Sequence, residues 1–88
     1  MTVQLDGSLM TDRKTAHDYL QHVLKLPAHY GRNLDALYDI LTERGEETHL
    51  VLTNSAKLAE QLGRYGTLLL STLSEAAEHN ESITVTIE

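Results

Sequence analysis

Leu50-Val51-Leu52 is an uninterrupted apolar run near the middle of the chain. A strand of this kind reads as buried on both faces, and therefore as the central strand of a sheet. The two ends of the chain read differently. Thr2-Val3-Gln4-Leu5 alternates polar and apolar before an Asp6-Gly7 turn, and Ile83, Val85 and Ile87 alternate with Thr84 and Thr86. Period-two alternation marks strands with one wet face, which suits the edges.

Helical spacing fills the intervals. Ala16, Tyr19, Leu20, Val23 and Leu24 recur on one side of a first helix that Thr11 or Asp12 can cap and Pro27 closes. After a loop from Pro27 to Asn33, Leu34, Leu37 and Leu41 form the stripe of a second helix, widened by Ile40, with Asn33 a good N-cap. Arg44-Gly45-Glu46-Glu47 ends it. Asn54 or Ser55 can cap a short third helix holding Leu58 and Leu62, with Gly63 and Gly66 bracketing its end. A fourth helix runs from about Thr67 to near Asn80, with Leu69, Leu73, Ala76 and Ala77 at core spacing. The order β-α-α-β-α-α-β implies parallel pairing through crossovers. The expected fold is thus α/β, with two layers in residues 1–88: a three-stranded parallel sheet in order 1-2-3, most helices on one face.

Composition narrows the function. Eighty-eight residues suit one domain with one core, and a deep pocket would remove packing such a fold needs. The formal net charge of −6, from 13 acidic and 7 basic side chains, argues against direct contact with nucleic acid or an acidic membrane. It suits a basic protein partner or simple solubility. With no cysteine, disulfides, thiol nucleophiles and Cys-zinc sites drop out. No signal peptide or transmembrane run is visible, so a cytoplasmic location is expected. The five histidines show no metal-ligand spacing: His17 and His22 are five apart, on different sides of a helix. No Gly-rich phosphate loop or Ser-His-Asp pattern occurs. No cofactor, metal or enzymatic activity is expected.

The second helix departs from an ordinary solvated surface. Asp35, Asp39 and Glu43 stack at i, i+4 and i+8, joined by Thr42 and bordered by Tyr38, with no Lys or Arg in the helix to relieve them. Like charges so placed cost roughly 0.2–0.5 kcal/mol per pair. Asp35 gains from the helix N-terminus, whereas Glu43 lies at the unfavourable end of the dipole. The row reads either as solvated carboxylates or as a surface awaiting cations, with Tyr38 and Tyr30 as rigid contact area. Tyr30 fits equally a core residue pinning the loop. Gly31 would allow an unusual backbone conformation or close approach by another chain, and Asn33 serves as cap and possible contact.

The run Leu26-Pro27-Ala28-His29-Tyr30-Gly31-Arg32-Asn33-Leu34-Asp35-Ala36-Leu37-Tyr38-Asp39 resembles the barstar family of ribonuclease inhibitors. A looser similarity extends from the Val3 strand to the Ile87 strand. The resemblance implies a 1:1 complex with a small basic ribonuclease of extracellular type, whose active site the acidic helix and preceding loop would plug. It implies that Asp35 and Asp39 pair with cations of the nuclease, with Asp39 nearest its phosphate-binding centre. Gly31, Asn33 and Leu34 would supply backbone and packing contacts, Tyr38 would occupy the family's aromatic position, and Glu75 on the fourth helix would add an acidic contact. His29 stands where the best-known members carry Tyr, Arg32 replaces an acidic residue, and Ile40 and Ser82 stand where cysteines are typical. The alternative expectation is a barstar-like interaction module whose partner is not a ribonuclease.

Overall fold

The computed structural model describes residues 1–88. The chain runs β1 (Thr2–Asp6), a 3-10 turn (Gly7–Leu9), α1 (Arg13–Val23), α2 (Leu34–Glu43), β2 (Thr48–Thr53), α3 (Ser55–Leu62), α4 (Arg64–His79) and β3 (Ile83–Ile87). The sheet is wholly parallel in order β1-β2-β3. Val3 pairs with Leu50, which pairs with Val85. Both crossovers step the same way across the sheet, so connections of one hand place all their helices on one face. No helix is long and apolar enough to cross a membrane.

Local chemistry sets the boundaries. Asp12 caps α1 by accepting a hydrogen bond from the Thr15 amide at 2.8 Å. The helix stops at Val23, before Pro27, because Lys25 turns left-handed at φ 54°. At the start of α3 the expected cap takes another form. Asn54 occupies the cap position at φ 55°, but its amide side chain donates to Asp6 Oδ1 at 2.8 Å, tying the end of β2 to the end of β1. Gly63, at φ 59°, ends α3 as expected. Gly66 does not bracket α3 with it, since α4 already begins at Arg64. It lies in the first turn of α4, where a Cβ would come within 2.9 Å of the Leu58 carbonyl oxygen; the two helices meet at a spacing only glycine permits.

The core lies between the sheet and the helical layer. Leu5, Leu50 and Leu52 from the sheet meet Leu20, Leu37, Leu41, Leu58, Leu69 and Leu73 from the four helices, all fully buried. The outer face of the sheet corrects one expectation. Leu50 and Leu52 are buried, but Val51 points the other way, between exposed Gln4 and Thr86, and is only half-buried. The central strand is sealed on one face only, because no helix crosses to the other. Its apolar run reflects a β-branched residue shielded by flanking strands. Burial along β3 fades from Ile83 to Ile87, which is 44% exposed.

Candidate functional site

Both ends of α2 are anchored by asparagines. At the N-terminus Asn33 Oδ1 accepts from the Ala36 amide at 2.7 Å. Beyond the C-terminus the Asn80 side chain, from the end of α4, donates to the carbonyls of Leu41 and Arg44, each at 2.8 Å. These bonds satisfy groups that a helix end would otherwise leave open. Leu37 and Leu41 turn fully into the core, which directs Asp35, Asp39 and Glu43 to solvent. All three are exposed, and none takes part in the protein's four ion pairs. Half-buried Thr42 lies on the same side, its hydroxyl shared between the carbonyls of Tyr38 and Asp39 at 2.9 and 3.1 Å. Tyr38 is half-buried. Its hydroxyl lies 2.9 Å from His79 Nδ1, and the two rings meet edge-on at 6.2 Å between centroids. Glu75 is exposed one turn before His79 on α4, and its carbonyl oxygen lies 3.0 Å from the same Nδ1.

The loop before α2 is fastened from behind, to α1 and α4. Tyr30 is 5% exposed, with its hydroxyl 2.7 Å from His17 Nδ1. The other imidazole nitrogen, Nε2, lies 2.7 Å from the Tyr65 hydroxyl. A neutral imidazole has one donor and one acceptor, so one tyrosine donates to the ring while the other accepts from it. Burial holds the His17 imidazole below its ordinary titration range, and the nearby Arg32 guanidinium acts in the same direction. Burial likewise pushes both phenols upward, keeping them neutral. The Gln21 amide donates to the Pro27 carbonyl at 2.9 Å, and the Tyr30 amide donates to the same oxygen at 3.0 Å.

Of the two readings open for Tyr30, the buried ring favours the pin: the side chain offers no contact area in this conformation. The unusual backbone conformation lies at Arg32, φ 56°, and not at Gly31. Gly31 is instead crowded by its own chain, since a Cβ there would lie 3.1 Å from that of Ala36. Arg32 does not project as a free positive charge beside the loop. Its guanidinium bonds the Asp18 carboxylate and, at 2.9 Å, Gln21 Oε1. Asp18 also pairs with Lys14 at 2.9 Å, and the two cations lower its carboxyl below the usual range, the Lys14 bond being the stronger cause. What remains outermost on the loop is His29, Gly31 and Asn33, all exposed, followed by half-buried Leu34.

Sequence reasoning weighs His17 only as a metal ligand and does not place it in the core. This histidine precedes Leu20 by three positions and Leu24 by seven, both fully buried, so its place on the apolar stripe was a usable signal. The distant partners Tyr30 and Tyr65 carried none. No group of three or more His, Asp or Glu side chains converges as a metal-ligand set.

A family model described as "Barstar (barnase inhibitor)" matches residues 1–88. A protein of Bacillus subtilis (strain 168) named "Putative ribonuclease inhibitor YrdF" is 39% identical over 75 residues, covering 84% of this chain and 82% of that protein.

Proposed function

This chain belongs to the barstar family, and from that premise we propose that it inhibits a small basic ribonuclease by seating the outer face of α2 and the loop before it in the enzyme's active site. The observation that carries the reading is the unpaired row of Asp35, Asp39 and Glu43 beside a loop already anchored at Tyr30 and Arg32. Three carboxylates held without internal cations repel one another in the free protein. A cationic cleft relieves that repulsion, and it is the type of surface a ribonuclease presents to RNA phosphates. A loop fixed by burial and side-chain bonds loses little entropy on docking.

In this reading Asp39 occupies the centre of the contact, with Asp35 beside it at the helix N-terminus. His29, Gly31, Asn33 and Leu34 line the loop side, and Tyr38, Thr42 and Glu75 the α4 side. Tyr30 serves the interface from within, as the loop's anchor. The complex is 1:1 and works by occlusion, without catalysis or a cofactor. The chain acts in the cytoplasm. Opposite charges across the interface should make association fast and strongly dependent on ionic strength, a behaviour for which the archetypal pair of this family is the standard case.

The test is titration of the purified chain into barnase and a panel of other small basic ribonucleases, with cleavage of a fluorogenic RNA as readout. Stoichiometric loss of cleavage for at least one enzyme supports the proposal. Unchanged cleavage across the panel removes it and leaves a family member with a different kind of partner.

A further inference from the structure

Beside the acidic row lies a concavity of about 490 Å³ with the opposite character. Although the protein is acidic, three of its seven Lys and Arg side chains line this cleft: Arg13, Lys14 and Arg32. Lys14 and Arg32 are both engaged by Asp18. Arg13 has no carboxylate partner, and its guanidinium lies 4.3 Å above the Tyr65 ring, which holds it in place. Asn33 and Asp35 line the same cleft, so its mouth is continuous with the face assigned to docking. Asp35, the lone carboxylate on the wall, offsets only part of the positive charge.

We propose that this cleft receives a carboxylate side chain of the partner protein, an Asp or Glu on the rim of the ribonuclease active site, with Arg13 as its principal counter-charge. The inference rests on the ribonuclease reading. A partner that covers Asp35 and the loop also covers the mouth of the cleft. Removing a guanidinium from water without a counter-ion is costly, whereas a carboxylate meeting the planar fork recovers that cost through charge-assisted hydrogen bonds. The interface is therefore two-signed: an acidic ridge for cations and a cationic notch for one acid. That arrangement fixes register and discriminates among basic ribonucleases that satisfy the ridge equally well.

Charge steering alone and the notch make opposite predictions for Arg13→Glu. The substitution makes the chain more acidic, so steering by a basic nuclease predicts faster association and tighter binding. The notch predicts weaker binding through faster dissociation, despite equal or faster association. The experiment measures both rates by surface plasmon resonance for wild type, Arg13→Gln and Arg13→Glu, using a ribonuclease from the panel that the wild-type chain inhibits. Thermal midpoints establish that each variant is folded. Expected are a loss of about tenfold for Arg13→Gln, a larger loss for Arg13→Glu, and recovery of affinity when one rim acid of the nuclease is changed to Lys against Arg13→Glu. Unchanged or tighter binding by both variants overturns the notch and leaves the ribonuclease reading standing. Absence of any inhibited ribonuclease overturns both. Retention of a labelled oligonucleotide by the free chain, lost in Arg13→Glu, overturns the carboxylate assignment in favour of phosphate.

Discussion

His17→Phe is expected to cost this protein a large part of its stability, although it alters no charge near neutral pH and keeps an aromatic ring in place. The imidazole sits 2% exposed and bonds two hydroxyls, those of Tyr30 and Tyr65, each at 2.7 Å. Phenylalanine removes both bonds. Tyr30 is 5% exposed, so its hydroxyl finds no water in exchange, and a stranded buried hydroxyl costs about 1–3 kcal/mol. Tyr65 is half-buried and can recover a water, adding at most about 1 kcal/mol. The combined loss is about 1–4 kcal/mol from a stability that is about 5–15 kcal/mol for a typical domain. For a chain of this length that corresponds to a drop of roughly 5–30 °C in Tm. Urea unfolding should show a lower midpoint at unchanged slope. A double-mutant cycle isolates the bond from any overpacking by the larger ring. Tyr30→Phe alone leaves His17 Nδ1 unpaired, whereas the double variant leaves neither group unpaired. The double variant should therefore fall short of the summed single losses by about 1 kcal/mol or more. A His17→Phe loss under about 0.5 kcal/mol, or strict additivity, would refute the pinning role.

Further expectations concern acid, the binding face and the packing. The folded protein resists protonation of His17 while the unfolded chain takes up a proton near the ordinary pH 6.5. The unfolded state thus binds more protons, and this contribution is fully present above pH 6.5 and lost as pH falls from there through the lowered folded value. Asp6, Asp12 and Asp18, whose carboxyls are lowered by their hydrogen bonds, act in a separate window below about pH 3.8. Urea midpoints between pH 7.5 and 5 should fall for wild type and flatten in His17→Phe; parallel profiles would contradict the assignment. On the docking face, Asp39→Ala should weaken binding to an inhibited ribonuclease by about tenfold or more. Glu43→Ala, at the far end of the helix, should cost about twofold to threefold. Equal losses in calorimetric titration would displace Asp39 from the centre. Gly7→Ala would bring a Cβ within 2.6 Å of the Asn54 carbonyl oxygen, and should destabilise by about 1–3 kcal/mol in thermal melts. An unchanged Tm there would show that the 3-10 turn is free to shift.

Sequence periodicity was enough for the strand order, because parallel connections through helices leave few topologies and the alternating ends had to be edges. Leu50-Val51-Leu52 was correctly central but misread as sealed on both faces, since an apolar run does not reveal which side has helices above it. The acidic row on α2 was likewise legible: a helix that buries Leu37 and Leu41 must turn Asp35, Asp39 and Glu43 outward. Asn33 and Asp12 announced themselves as caps because capping is a local bond, two or three residues long.

Contacts between segments distant in sequence decided the rest. Nothing near Tyr30 told whether its ring faced a partner or the core; His17, thirteen residues away, and Tyr65, forty-eight residues from His17, settled it inward. That Arg32, in place of an acidic residue, is held by Asp18 and Gln21 of α1 is also a matter of tertiary contact. Likewise, Arg13 and Lys14 became the wall of a cleft next to Asp35 only when α1, α2 and α4 packed together. Spacing along the chain determines which side chains share a face, because helix and strand geometry is periodic. Which faces then meet, and which charges are left without a partner, depends on the packing of the whole chain.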